Sequence, residues 1–194
     1  MKSLSSFIVR INKRFNDTIE LSNGLKLYVD PKYNEFENRV NEAEVVSAPC
    51  KFNTGAEPGD TLYFHHHVVV NEGQPITGEE NSYLVKYSEE AMDNQAIAYR
   101  PKGSRNVIPL GGWVVLEPIK DEKKKESEII EVIKLTEDPV IKGRVAYHAD
   151  YLEDFGLKIG DVVGFNHKFA YRFKIDGIVY LRMRLIDLLY IENI

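Results

Sequence analysis

Leu157-Lys-Ile-Gly-Asp-Val-Val-Gly-Phe-Asn-His-Lys-Phe-Ala-Tyr-Arg-Phe-Lys-Ile-Asp-Gly-Ile-Val-Tyr-Leu-Arg-Met-Arg-Leu-Ile-Asp-Leu-Leu-Tyr-Ile191 reads as strand, turn, strand, turn, strand. Gly160-Asp161 opens a strand over Val162 to Phe165. Asp176-Gly177, set between two apolar runs, is the two-residue signature of a tight hairpin. Ile178 to Met183 is the returning strand, and Leu185 to Ile191 closes the run. None of these residues forms a catalytic motif. The weight of the stretch lies in a weaker copy about a hundred residues upstream.

Gly59-Asp60 matches Gly160-Asp161, and four residues further on Phe64 matches Phe165. Val45, in Glu-Val-Val, matches Val145, in Arg-Val-Ala. Tyr83-Leu84 aligns with Tyr180-Leu181 once four residues are taken from the Gly- and Pro-bearing excursion after Asn71, where chain length costs little. Phe7-Ile-Val-Arg-Ile11 aligns with Trp113-Val-Val-Leu-Glu117. Agreements fall in apolar runs and length differences fall in polar ones, which is the pattern of a duplication. Each half is rich in short strands with turn signals between them, so the expected class is all-β: two tandem small barrels or sandwiches. The expected boundaries are a first domain over residues 1–100, a linker over 101–106 (Pro-Lys-Gly-Ser-Arg-Asn) and a second domain over 107–194.

Composition narrows the function. The chain has 194 residues, a net charge of −5 and one cysteine, Cys50. No concentrated basic block marks a phosphate-tracking surface, so no nucleic-acid partner is expected. A lone cysteine forms no internal disulfide, and a reducing compartment is the simple reading. No run approaches the roughly 20 apolar residues of a membrane helix, and the first residues resemble neither a signal nor a transit peptide. These features predict a soluble cytoplasmic protein. Residues 119–139 form a long polar stretch whose apolar members, Ile129, Ile130, Val132 and Ile133, lack a sustained helical stripe; the stretch reads as flexible loop.

The ordered set of features resembles the small co-chaperonins, the GroES-like (chaperonin-10) family of ring-forming lids. Val107-Ile-Pro-Leu-Gly-Gly-Trp-Val-Val-Leu116 is similar to that family's opening strand, and Leu157-Lys-Ile-Gly-Asp161 to its Gly-Asp strand. Lys174-Ile-Asp-Gly-Ile-Val-Tyr-Leu181 and Leu185-Ile-Asp-Leu-Leu-Tyr-Ile191 are similar to its last hairpin and closing strand. The first half matches more weakly. The tandem form resembles the double-domain co-chaperonin of chloroplasts; a viral co-chaperonin serving a host chaperonin is another setting that fits a chain without a transit peptide.

The resemblance implies a partner, a large ATP-driven chaperonin, and a mechanism. An apolar segment of a mobile loop docks on the chaperonin's apical domains and orders on binding, and a homo-oligomeric ring multiplies that modest affinity. It implies no enzymatic activity and no cofactor, because ATP belongs to the chaperonin. The second-half docking segment maps to Ile129, Ile130, Val132 and Ile133, although Ser127-Glu128 stands where the family usually has glycine. The first-half segment maps to Gly24-Leu-Lys-Leu-Tyr-Val29, with Leu25, Leu27 and Val29 as contacts. Since those three would share one face of a strand, an ordinary barrel strand is the competing reading.

Catalytic and metal readings are weaker. His65-His66-His67 on a strand would split between two faces with no further ligand at a metal-like spacing, so a polar rim strand is expected and no metal site. No cysteine cluster or Gly-x-Gly-x-x-Gly motif supports a zinc- or nucleotide-dependent enzyme. From another class, the alternative function is a structural or adaptor protein, as in virion assembly, that reuses the duplicated barrel without binding a chaperonin.

Overall fold

The computed structural model describes residues 2–13, 15–28, 30, 35–70, 74–79, 81–89, 94–119 and 140–192. The chain divides into two compact units, Met1–Gly111 and Gly112–Ile194, and both are β structures with short helical turns. The first contains β1 (Ser6–Arg10), β2 (Thr18–Glu20), β3 (Lys26–Tyr28), β4 (Glu42–Ser47), β5 (Thr61–Phe64), β6 (Gln74–Pro75), β7 (Ser82–Lys86), β8 (Ala96–Arg100) and β9 (Ile108–Pro109). Seven of these form one antiparallel sheet in the order β6-β7-β1-β4-β5-β8-β9, while β2 and β3 pair only with each other. The second unit contains β10 (Trp113–Pro118), β11 (Val140–Tyr147), β12 (Val162–Asn166), β13 (Tyr171–Ile175), β14 (Ile178–Arg184) and β15 (Leu188–Glu192). Its sheet runs β13-β14-β10-β11-β12-β15. The all-β class and the two tandem β domains expected from the sequence are therefore present.

The two sheet orders superpose strand for strand, with β1, β4, β5, β7 and β8 matching β10, β11, β12, β14 and β15. Irregularities match too. The β1–β4 ladder shifts register between Ile8 and Val9, and the β10–β11 ladder shifts between Val115 and Leu116. The β5–β8 ladder shifts between Tyr63 and Phe64, and β12–β15 between Gly164 and Phe165. With this register, Phe7, Val9, Val45, Leu62, Phe64, Tyr83 and Val85 in the first core occupy the positions of Val114, Leu116, Val145, Val163, Phe165, Leu181 and Met183 in the second.

The Gly-Asp anchor is one hydrogen-bonded device used twice. In the first unit Val45 N–H donates to Asp60 O at 2.8 Å, Gly59 N–H to Val45 O at 2.8 Å, and Glu57 N–H to Asp60 Oδ2 at 2.8 Å. In the second, Val145 N–H donates to Asp161 O, Gly160 N–H to Val145 O, and Lys158 N–H to Asp161 Oδ2, each at 2.8 Å. Gly59 and Gly160 stand at φ +95° and +94°, a left-handed conformation that only glycine adopts without strain. Asp60 makes a further bond, accepting from Lys102 N–H at 2.8 Å, which fastens the β8–β9 turn. Residues 101–106, read from the sequence as a linker, thus form a turn whose far arm, β9, pairs with β8.

Several local expectations change. Matching of the apolar runs in the sequence sets Phe7 against Trp113 and Tyr83 against Tyr180. The ladders move both by one residue, so that Phe7 corresponds to Val114 and Tyr83 to Leu181. A one-residue slip exchanges the two faces. In β10 the faces are hard to tell apart from sequence, because Trp113, Val114, Val115 and Leu116 are all buried. Trp113 lies under the Arg182 guanidinium, 3.9 Å from the ring centre, with Tyr171 at 5.0 Å, and burial pulls the Arg182 pKa down to about 10. Residues 65–70 are no continuation of β5: a helical turn, α2 (His67–Val70), follows it and buries Val68 and Val69. Another turn, α1 (Glu35–Asn38), stands in the polar run after Pro31, and a 3₁₀ turn over Leu185–Asp187 precedes β15. There Arg184 donates twice to Asp187, at 2.6 and 2.8 Å.

The units fill one position in opposite ways. Tyr63 on β5 faces Ala98 on β8, whereas Gly164 on β12 faces Tyr190 on β15. The bulky partner has changed strand, and a Cβ on Gly164 would overlap the Tyr190 ring. Gly164→Val is expected to destabilise the second unit by about 1–3 kcal/mol through overpacking. Adding Tyr190→Ala is expected to recover most of that loss. Trp113, the one tryptophan of the chain, lies in that unit, so urea unfolding followed by its fluorescence isolates the effect.

Candidate functional site

Between β1 and β4 the chain leaves the first sheet and returns. The base of this excursion is pinched where Phe15 bridges Arg39, Asn16 N–H donates to Asn38 O at 2.9 Å, and the Asn16 side-chain amide reaches Arg39 O at 3.3 Å. Further out, β2 and β3 form a hairpin with Thr18 opposite Tyr28, Ile19 opposite Leu27 and Glu20 opposite Lys26. Its turn is built from local chemistry. Leu21 N–H donates to Leu25 O at 2.8 Å, Gly24 N–H to Leu21 O at 2.9 Å, and Leu25 N–H to Asn23 Oδ1 at 3.1 Å, with Gly24 at φ +78°.

This hairpin exposes what a core strand would bury. Leu25 is 61% exposed, Leu27 51% and Tyr28 80%. A two-stranded hairpin gains little stability by itself in water, and clustered apolar side chains on one are surface held ready for contact. Leu25 and Leu27 are therefore placed together at the end of the excursion and outside the main sheet, unlike the barrel strand that the alternation also allowed. Tyr28 and Leu21 share the exposure but were not among the expected contacts: Leu21 belongs to the same alternating run, and Tyr28 lies between Leu27 and Val29. Val29, Ile129, Ile130, Val132 and Ile133 lie outside the described residues. The segment carrying the last four nevertheless joins β10 to β11, the topological counterparts of the strands that the first excursion joins.

A second cluster sits at the end of β5. His65 N–H donates to Gln95 O at 2.9 Å, and then the backbone turns, with Val68 N–H donating to His65 O at 3.1 Å and Val69 N–H to His66 O at 3.0 Å. The turn draws three consecutive imidazoles together, with ring centroids 4.3 to 4.9 Å apart. The expected split of these rings between two strand faces does not occur.

Three relatives align along nearly their whole length. Over 83 residues the chain is 32% identical to the co-chaperonin GroES of Pseudothermotoga lettingae and 35% identical to that of Kosmotoga olearia, covering 92% of each. Over 84 residues it is 36% identical to the co-chaperonin GroES of Thermotoga petrophila, covering 91%. The chain belongs to the co-chaperonin GroES family. Each matched stretch is 43% of this chain, a length suited to one β unit rather than two. No family model matches the chain.

Because Leu25 and Leu27 are exposed, Leu25→Ser combined with Leu27→Ser is expected to leave stability within about 0.5 kcal/mol of the parent. Thermal unfolding followed by circular dichroism checks this; a larger loss would mean that the leucines pack into the unit.

Proposed function

We propose that this chain is a non-enzymatic tandem co-chaperonin of the cytoplasm that caps a large ATP-driven chaperonin and assists folding inside the closed chamber. The observation that carries the reading is the alignment with co-chaperonin GroES over more than nine-tenths of the relatives' length. Docking is assigned to Ile129, Ile130, Val132 and Ile133 in the second unit and to Leu25, Leu27 and Val29 in the first. Two things support this assignment: the matching insertion points in the two sheets, and the exposure of Leu25 and Leu27. Each segment offers a small apolar contact, so affinity comes from several segments engaging together.

Edge geometry supports self-assembly. In the first unit the outer edge of β8 is covered by β9, the short strand that leads into the second unit. In the second unit the sheet ends at β15, whose Leu189, Tyr190 and Ile191 are exposed. Among the described residues no strand covers this edge, and an open apolar edge strand is a template for another strand. A strand added to β15 by a neighbouring chain, repeated head to tail, closes into a ring. Native mass measurement at micromolar concentration is expected to give a closed oligomer; monomer under all conditions would remove this part of the proposal.

The docking test is ATP-dependent co-sedimentation with a bacterial-type chaperonin. The parent protein is expected to pellet with it, and the variant with Ile129, Ile130, Val132 and Ile133 all changed to Ser is expected to bind at least about tenfold more weakly, a loss of 1.4 kcal/mol or more. Absence of binding by the parent would overturn the function and leave the adaptor reading. Undiminished binding by the variant would move docking to Leu25 and Leu27.

A further inference from the structure

We propose that His65, His66 and His67 form a binding site for a divalent first-row transition-metal ion, with Zn²⁺ the natural probe. The proposal stands on the geometry of the first unit and is independent of chaperonin binding. One potential ligand nitrogen from each ring lies within 4.8 Å of the others. Two nitrogens bound to one Zn²⁺ at about 2.0–2.1 Å stand roughly 3.3 Å apart in a tetrahedral site, so small side-chain rotations bring all three to one ion. Three imidazoles leave a fourth position for water, and imidazole is a ligand that Zn²⁺, Ni²⁺ and Cu²⁺ all accept. Among the described residues this is the one group of three or more His, Cys, Asp or Glu side chains that meets the same distance test.

The site is held by its surroundings. His66 is 4% exposed, and Val68 and Val69 anchor the following turn in the core. The backbone of the three histidines is tied at both ends by the bonds to Gln95 and from Val68 and Val69. His65 Nδ1 accepts from His67 N–H at 3.3 Å, a long bond that a metal competing for that lone pair readily displaces.

The second unit is an internal control. Its corresponding residues are Asn166, His167 and Lys168, and there a 3₁₀ turn follows the strand, with Asn166 Oδ1 accepting from Lys168 N–H at 3.0 Å as His65 Nδ1 accepts from His67 N–H. The turn therefore folds with one histidine. The cluster of three imidazoles is a feature of the first unit, where His66 is buried while its counterpart His167 is exposed.

The test uses the full-length, tag-free chain in equilibrium dialysis against ZnCl₂. One Zn²⁺ per chain is expected. The double variant His65→Asn/His67→Lys installs the second unit's residues, keeps a side-chain acceptor for the turn, and is expected to weaken binding at least tenfold. His167→Ala is expected to leave it unchanged. Equal Zn²⁺ uptake by the parent and the double variant overturns the site. A second readout needs no variant: in an NMR titration Zn²⁺ must shift the imidazole signals of His65, His66 and His67 together, before those of His148 and His167. Any other order also overturns the proposal.

Discussion

A carboxylate at the mouth of a strand sets the register of each unit. Asp60 and Asp161 accept backbone N–H groups from the turn before them, while their own carbonyls accept from Val45 and Val145 across the sheet. Charge-assisted bonds of this kind are stronger than neutral ones, and here they satisfy donors that a tight turn would otherwise leave without a partner. With β4 locked to β5 and β11 to β12, alternation along the strands decides which side chains meet. Phe64 and Phe165 then fall in the two cores at equivalent depth. In the first unit the same carboxylate reaches Lys102, so one side chain also fixes the path out of β8.

Fixed strand ends free what lies between them. The excursion after β1 can be long because its base is pinched at Phe15 and Arg39, so the hairpin beyond adds little strain to the sheet. Loop length costs only logarithmically in closure entropy, whereas a slip in a paired strand exchanges buried and exposed faces. The alignment with the relatives is the length of one β unit.

What was legible in the sequence was local. Gly160-Asp161 and Asp176-Gly177 announce their turns because glycine and aspartate supply conformations and acceptors that few residues can, and Asp176 and Gly177 do stand at φ 50° and 80°. Strand partners set by distant chain were less legible. Period two identifies Leu25 and Leu27 as extended but does not say which sheet they join. The single-residue error at β10 arose because both of its faces are apolar. The histidine turn was hidden because Val68-Val69-Val70 has strong strand character, and tertiary burial of Val68 and Val69 overrode it. The apolar island around Ile129 was marked by its polar flanks and lies outside the described residues.

The exchange of bulk between Tyr63–Ala98 and Gly164–Tyr190 bears on how such a chain assembles. Similar neighbouring domains risk trading strands as they fold, and misassembly of that kind is a known hazard of repeats. A hybrid that paired β5 with β15 would force Tyr63 against Tyr190, and one that paired β12 with β8 would set Gly164 opposite Ala98, two small residues. Only the two native combinations set one bulky side chain against one small residue. Sequence divergence at this position thus works as a matched key, sorting the strands of two look-alike halves into their own sheets.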